Sequence, residues 1–179
     1  MEVSVSGQSE GTYNFLLETY ETELLKILGI WSSFPESTMD FRPHPKSRTV
    51  LEQMEHQVQS EGRWMKNMLG LDTGDPNPAR RSKTGFIEKY HADAGRRLEM
   101  MKEKSDAWWQ GMTTFFDVPR SRAWVLTRRI THSTHHRGQL VVYLRLLNIL
   151  VPSVYGPTAD TADKVIYRFA GPGEGVDRK

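Results

Sequence analysis

Four stretches of the chain repeat apolar residues every three or four positions, and connections rich in proline or glycine separate them. That period matches the turn of a helix and not the pleat of a strand, so each stretch presents one apolar stripe for other helices to cover. In the first, Leu16, Tyr20, Leu24, Ile27 and Trp31 mark a helix from about Thr12 to between Gly29 and Phe34. The second opens at Thr49-Val50-Leu51-Glu52, the spacing of a capping box, and runs to about Leu69 along Leu51, Met54, Val58, Met65 and Met68. After GLDTGDPNPARRSKTG, a third helix resumes near Ser82 or Thr84 and carries Phe86 or Ile87, Tyr90, Ala94, Leu98, Met101, Trp108 and Met112. Gly95 inside it marks a close helix approach or a kink. Residues 111–120 break the pattern, and Pro119 with Ser121 prepares the entry to a fourth helix that continues through HSTHHRGQLVVYLRLLNIL.

Four long helices with connections of about ten to fifteen residues predict an all-α four-helix bundle. With 179 residues, 37% of them hydrophobic, the chain has material for one ordinary core. The bundle is expected over residues 12–163, with residues 1–11 a flexible N-terminus and residues 164–179 a C-terminal tail whose GPGEGVDRK end is mobile. The stretch VPSVYGPTADTADKVIYRF reads as extended, with one short ordered piece.

Inventory excludes several chemistries. The chain has no cysteine, so disulfides, thiolate metal sites and a cysteine nucleophile are ruled out, and any metal must sit on nitrogen and oxygen. A net charge of +2 gives no case for a dedicated polyanion binder. The wheel positions of Arg122, Arg128, Arg129, Arg137 and Arg145 are scattered, which reads as a solvated helix surface and makes a nucleic-acid-binding module the least favoured reading. MEVSVSGQSEG lacks the basic start and apolar core of a signal peptide, and no run is long and apolar enough to span a bilayer. The expectation is a cytoplasmic protein without membrane contact.

The chemistry concentrates in HSTHHRGQ. Residues four apart on a helix have Cβ atoms about 6 Å apart, so His132 and His136 aim their imidazoles at one point. They share a wheel sector with Val125, Gln139, Tyr143 and Leu147, which faces inward. Two histidines rarely hold a divalent ion against water, and His56 on the second helix is the candidate third ligand. The helical wheel puts His56 opposite its own apolar stripe, beside Glu52, Gln53, Ser60 and Asn67, where it meets water or a polar cleft. His44 sits between two prolines as a loop residue, and His91 flanks an apolar stripe. A zincin places glutamate directly after the first histidine, and that position is Ser133. Glu52, Gln53, Glu55 and Glu61 on the second helix, and Gln139 and Tyr143 on the fourth, are the residues placed to orient or assist.

HSTHHRGQL, the segment FRPHPKSRTVLEQMEH and the tail VPSVYGPTAD together resemble the DinB family of YfiT-like metal-dependent proteins, from the first helix to about Asp163. The resemblance implies a bundle of the DinB/YfiT-like type in up-down-down-up order, with a long crossover between helices 2 and 3, and frequently a homodimer. It implies three metal ligands at His56, His132 and His136, with His135 no ligand, and Arg137, Gly138 and Gln139 completing the motif. Three neutral imidazoles leave a coordination position open, and they suit zinc or nickel, with iron also compatible. The function implied is a metal-dependent enzyme, either a small-thiol-dependent transferase or a hydrolase. The competing reading is a non-catalytic helical bundle that serves interaction.

Overall fold

The computed structural model describes residues 11–162. Its helices are α1 (Asn14–Ser32), α2 (Val50–Leu69), α3 (Lys83–Lys102), the short α4 (Asp106–Gln110) and α5 (Arg122–Leu146), and a two-stranded hairpin, β1 (Met112–Phe115) and β2 (Val118–Ser121), precedes α5. The four long helices form the bundle. The flexible start expected at residues 1–11 falls outside the described residues except for its last position, and so does the tail expected at 164–179.

Local signals set the helix ends. The capping box at α2 is complete: Thr49 Oγ1 accepts from the Glu52 N–H at 3.1 Å, and a Glu52 carboxylate oxygen accepts from the Thr49 N–H at 2.8 Å. Gly70, with φ +68°, closes the same helix in the left-handed conformation that costs glycine least. The third helix stops sooner than its periodicity suggests. Ser105 caps a fresh start, its hydroxyl accepting from the Trp108 N–H at 3.3 Å, so Trp108 belongs to α4 and Met112 to β1. Gly95 makes no close approach: a Cβ added there would meet nothing within 4 Å.

Residues 112–121 form strands where a mere interruption was expected. The hairpin closes on a two-residue turn, Phe116-Asp117, with φ +43° and +66°, in the register Phe115 opposite Val118. Two positive φ values in a two-residue loop match the right-handed strand twist, but glycine or asparagine usually supplies them. Phe-Asp carries no such signal, which is why the sequence did not announce a hairpin.

Side-chain pairs give the helix directions. Gln53, His56 and Ser60 of α2 meet Gln139, His136 and Arg129 of α5, so these two run antiparallel. Lys83, opening α3, reaches the Phe34 carbonyl just past the end of α1, and Trp31 packs on Tyr90, so α1 and α3 are antiparallel as well. Tyr13 stacks on Trp109 near the start of α5, while Glu23 reaches Thr134 and Arg137 farther along it, so α1 and α5 are parallel. The order is therefore up-down-down-up. Because α2 and α3 are parallel, the chain between them must return the length of the bundle, and it does so as a strap along α2. Asn77 bonds Gln59 at 3.0 Å and Arg81 bonds Glu55 at 2.7 Å. Gly62 admits the strap, since a Cβ there would lie 2.7 Å from the Pro76 Cβ.

One carboxylate ties the four long helices together. Glu61 of α2 is 1% exposed and accepts from Tyr20 of α1 at 2.6 Å, from Tyr90 and Arg97 of α3 at 2.7 and 3.2 Å, and from Arg129 of α5 at 3.2 Å. The expectation of solvated arginines fails here and at Arg137, which is buried against Glu23 and Tyr155. Each buried guanidinium has found a carboxylate, the condition for leaving water. Tyr155 belongs to the segment after α5, which folds back so that Val151 is buried and Asp160 accepts from the Val151 N–H at 2.9 Å.

Candidate metal centre

The antiparallel packing of α2 on α5 brings His56 onto His132 and His136. His56 does face away from its own apolar stripe, as the wheel indicates, but the polar side it occupies is a cleft against α5: its neighbours Gln53 and Ser60 are 3% and 4% exposed. Nε2 of His136 lies 3.1 Å from Nε2 of His56 and 3.3 Å from Nε2 of His132. All three ligand atoms fall within 4.8 Å of one another, and His136 is buried while the other two are partly exposed. Among the described residues this is the one such grouping. His44, His91 and His135 stand outside it, although His135 Nε2 contacts the Gln139 amide at 3.2 Å.

These distances fit a metal better than they fit an imidazole cluster held for its own sake. Metal–nitrogen bonds of about 2.0–2.1 Å make the ligand–ligand edge about 2.8–3.0 Å in an octahedron and about 3.3–3.4 Å in a tetrahedron. The two short separations lie between those values. Without an ion, at most one proton can sit between each pair of nitrogens, and a third ring charge would face two others.

Surrounding groups keep the rings neutral and oriented. Burial pushes the His56 pKa down to about 4, with help from Arg48, His136, Arg129 and Arg63. Burial takes His132 to about 3, reinforced by Arg129, and His136 to about 4, partly offset by Gln139. Gln139 Oε1 accepts from the Gln53 amide at 3.0 Å and lies 2.9 Å from His136 Nδ1, which assigns the proton to Nδ1 and leaves Nε2 free to ligate. His132 is held differently. An arginine only donates, so the 3.1 Å contact from Arg129 Nη1 to His132 Nδ1 puts that ring's proton on Nε2. For His132 to ligate through Nε2 as a neutral imidazole, Arg129 must release Nδ1 so that the ring proton can move there.

The expected helpers divide. Glu52 is paired with Arg42 and Glu55 with Arg81, so both are occupied at the rim. Tyr143 donates to the Arg48 carbonyl at 3.0 Å and acts on the loop before α2. Glu61 reaches the centre through Arg129, and Gln53 through Gln139. Sequence reasoning missed Arg129 as a functional neighbour, and missed Trp64, whose ring centroid lies 5.2 Å from that of His132. A signal for Arg129 was present: it stands one turn before His132 on the inward sector defined by Val125, His132 and His136.

The family model of the DinB family matches residues 11–167. Similar solved structures include a DinB-like protein from Bacillus cereus, with a TM-score of 0.71 and 21% identity over 79% of this chain and 97% of that one. A DinB-like protein from Bacillus subtilis, YjoA, has a TM-score of 0.65 and 11% identity over 79% and 98%. YfiT from Bacillus subtilis, described as a probable metal-dependent hydrolase with an unusual four-helix bundle topology, has a TM-score of 0.63 and 15% identity over 80% and 93%. Among curated proteins, none matches.

Proposed function

Because the chain belongs to the DinB family, we propose that it is a divalent-metal-dependent enzyme whose metal is held by His56, His132 and His136. The single observation that carries this reading is the convergence of three Nε2 atoms, two pairs of them at 3.1 and 3.3 Å. Nitrogen-only donors suit zinc or nickel best and admit iron. A divalent ion there supplies a Lewis acid able to ionise water or a thiol near neutral pH. The chain's own part is to keep three imidazoles neutral, to fix the His136 tautomer through Gln139 with Nε2 free, and to leave one side of the centre open to a reactant.

Hydrolysis is the first reaction class, supported by the description of YfiT. Transfer involving a small thiol is the second, since a thiol bound to the same ion would ionise as water does. The same reading includes a homodimer, to which the exposed Val142, Leu146 and Leu150 offer an apolar ridge; a monomeric mass by light scattering would remove it.

Metal analysis of protein purified without a histidine tag tests the assignment. About one divalent ion per chain is expected, lost in His56→Ala, His132→Ala and His136→Ala. Unchanged metal content in the three variants would refute the site. Ester hydrolysis and thiol-conjugation screens of the loaded protein then separate the two reaction classes, and inactivity in both would favour a bundle that serves interaction alone.

A further inference from the structure

The hairpin turn raises a question that packing does not answer. Phe115 anchors the hairpin, with ring centroids 5.1 Å from both Trp64 and Trp124. Phe116 packs edge-on against Phe115, 4.8 Å between ring centroids, on the outer side of this cluster. It is 65% exposed and sits at φ +43°, a conformation that bulky side chains rarely adopt. A glycine or asparagine would close the same turn without strain, yet the position holds an aromatic ring 5.9 Å from Trp64. Trp64 in turn lies against His132, with the Arg129 guanidinium 5.6 Å from its ring. An aromatic wall thus runs from the exposed hairpin tip to the edge of the histidine centre.

Several cations stand near that wall, although Asp117 beside Phe116 in the turn is an exposed carboxylate. Arg48, Arg63 and Arg128 are exposed: Arg48 lies in the loop before α2, Arg63 adjoins Trp64 in α2, and Arg128 stands one turn before His132 in α5. None of the three forms an ion pair among the described residues, while the nearby acids Glu52 and Glu55 are neutralised by Arg42 and Arg81. A mouth with aromatic faces and uncompensated guanidinium groups is complementary to a flat ring carrying negative charge.

We propose that the centre selects aromatic anions, stacking the ring on Trp64 and Phe116 while Arg63 and Arg128 draw the anionic group toward the mouth. This rests on the reading of the histidine centre as an active site, and it adds the class of substrate. Phe116 keeps its strained backbone because its ring extends the wall beyond Trp64, where a reactant arriving from solvent meets it first.

Calorimetric titration of zinc-loaded and metal-free protein tests this with four probes: 1-naphthoate, benzoate, cyclohexanecarboxylate and benzyl alcohol. The aryl carboxylates are expected to bind about tenfold more tightly than the saturated acid or the uncharged alcohol, and to weaken as salt rises. Trp64→Ala and Phe116→Ala should each weaken naphthoate severalfold at unchanged metal content, and Trp64→Phe should restore most of the affinity. Arg63→Gln with Arg128→Gln should flatten the salt dependence. Equal binding of aryl and saturated carboxylates, no measurable naphthoate binding, or full binding by Trp64→Ala would each overturn the proposal. Failure of the metal assignment shows separately, as absent zinc in the wild-type protein, and the metal-free titration still reads the aromatic preference.

Discussion

Replacing Glu61 by glutamine changes one oxygen for one NH2 and keeps the shape, so no cavity opens and the effect is almost wholly electrostatic. Two buried cations, Arg97 and Arg129, lose their shared counter-charge, and the new NH2 faces two groups that donate already, either Tyr20 and Arg97 or Tyr90 and Arg129. Asp93 remains beside Arg97 at 3.7 Å, but Arg129 keeps no carboxylate at all among the described residues. Removing one member of a buried ion pair costs about 3–5 kcal/mol. For a domain of this size each kcal/mol moves the midpoint by about 2–4 °C, so Glu61→Gln should lower Tm by about 6–20 °C. Thermal and urea unfolding of metal-free protein, followed by far-UV circular dichroism, reads this directly. The double variant Glu61→Gln/Arg129→Met should recover part of the loss, with a coupling of about 1 kcal/mol or more, because it also removes the stranded cation. Glu99→Gln, which breaks a surface pair with Lys102, should leave the midpoint in place. A loss below about 1 kcal/mol for Glu61→Gln, or a double variant that is simply additive, would refute the idea that this carboxylate ties the bundle together.

Three further outcomes follow from the same geometry. With the folded pKa values of His56, His132 and His136 at about 4, 3 and 4 and an ordinary value of 6.5, the unfolded chain takes up protons first as pH falls, so the metal-free fold should lose urea resistance between about pH 6.5 and pH 4; a flat urea midpoint from pH 7 to pH 5 would contradict the neutral triad. Gly62→Ala places a methyl against Pro76 and should destabilise by about 1–3 kcal/mol, with faster proteolysis in the strap, while Gly95→Ala, which meets nothing, should be neutral or mildly stabilising in the same denaturation assay. Gln139→Leu removes the group that fixes the His136 tautomer and should weaken zinc about 10–100-fold in a chelator competition, with secondary structure intact; unchanged affinity would show that the amide does not orient the ligand.

Helix periodicity carried most of the fold, because the stripes of α1, α2, α3 and α5 are long enough for the 3.6-residue repeat to stand out. It failed where a helix restarts within the same period. Trp108 keeps step with Met101, yet Ser105 caps a new helix between them. The hairpin was hidden because its turn uses Phe-Asp, and its four-residue strands are too short for alternation to register. In the site, the spacing of His132 and His136 was legible, whereas His56 looked solvent-facing because a single-helix wheel cannot know that a second polar face will cover it. The buried cluster also left a trace. Glu61 continues the run Met54, Val58 and Met65, Arg97 lies between Ala94 and Met101, and Arg129 follows Val125 at helical steps, so three charged residues occupy inward positions. Opposite charges on inward stripes of different helices imply mutual neutralisation, but no pattern within one helix names the partner.

The histidine triad proposed to hold the metal is split along the polypeptide, with His56 and His136 eighty positions apart. During synthesis the first imidazole emerges long before the others, so a nascent chain has nowhere to lodge an ion until the last helix has docked. On the proposed assignment, loading would be confined to molecules that have finished assembling, and an ion present at a hundredfold over its dissociation constant would deepen the native well by about 2.7 kcal/mol. Occupancy would then serve as a molecular certificate of correct closure, issued by the pairing of α2 with α5.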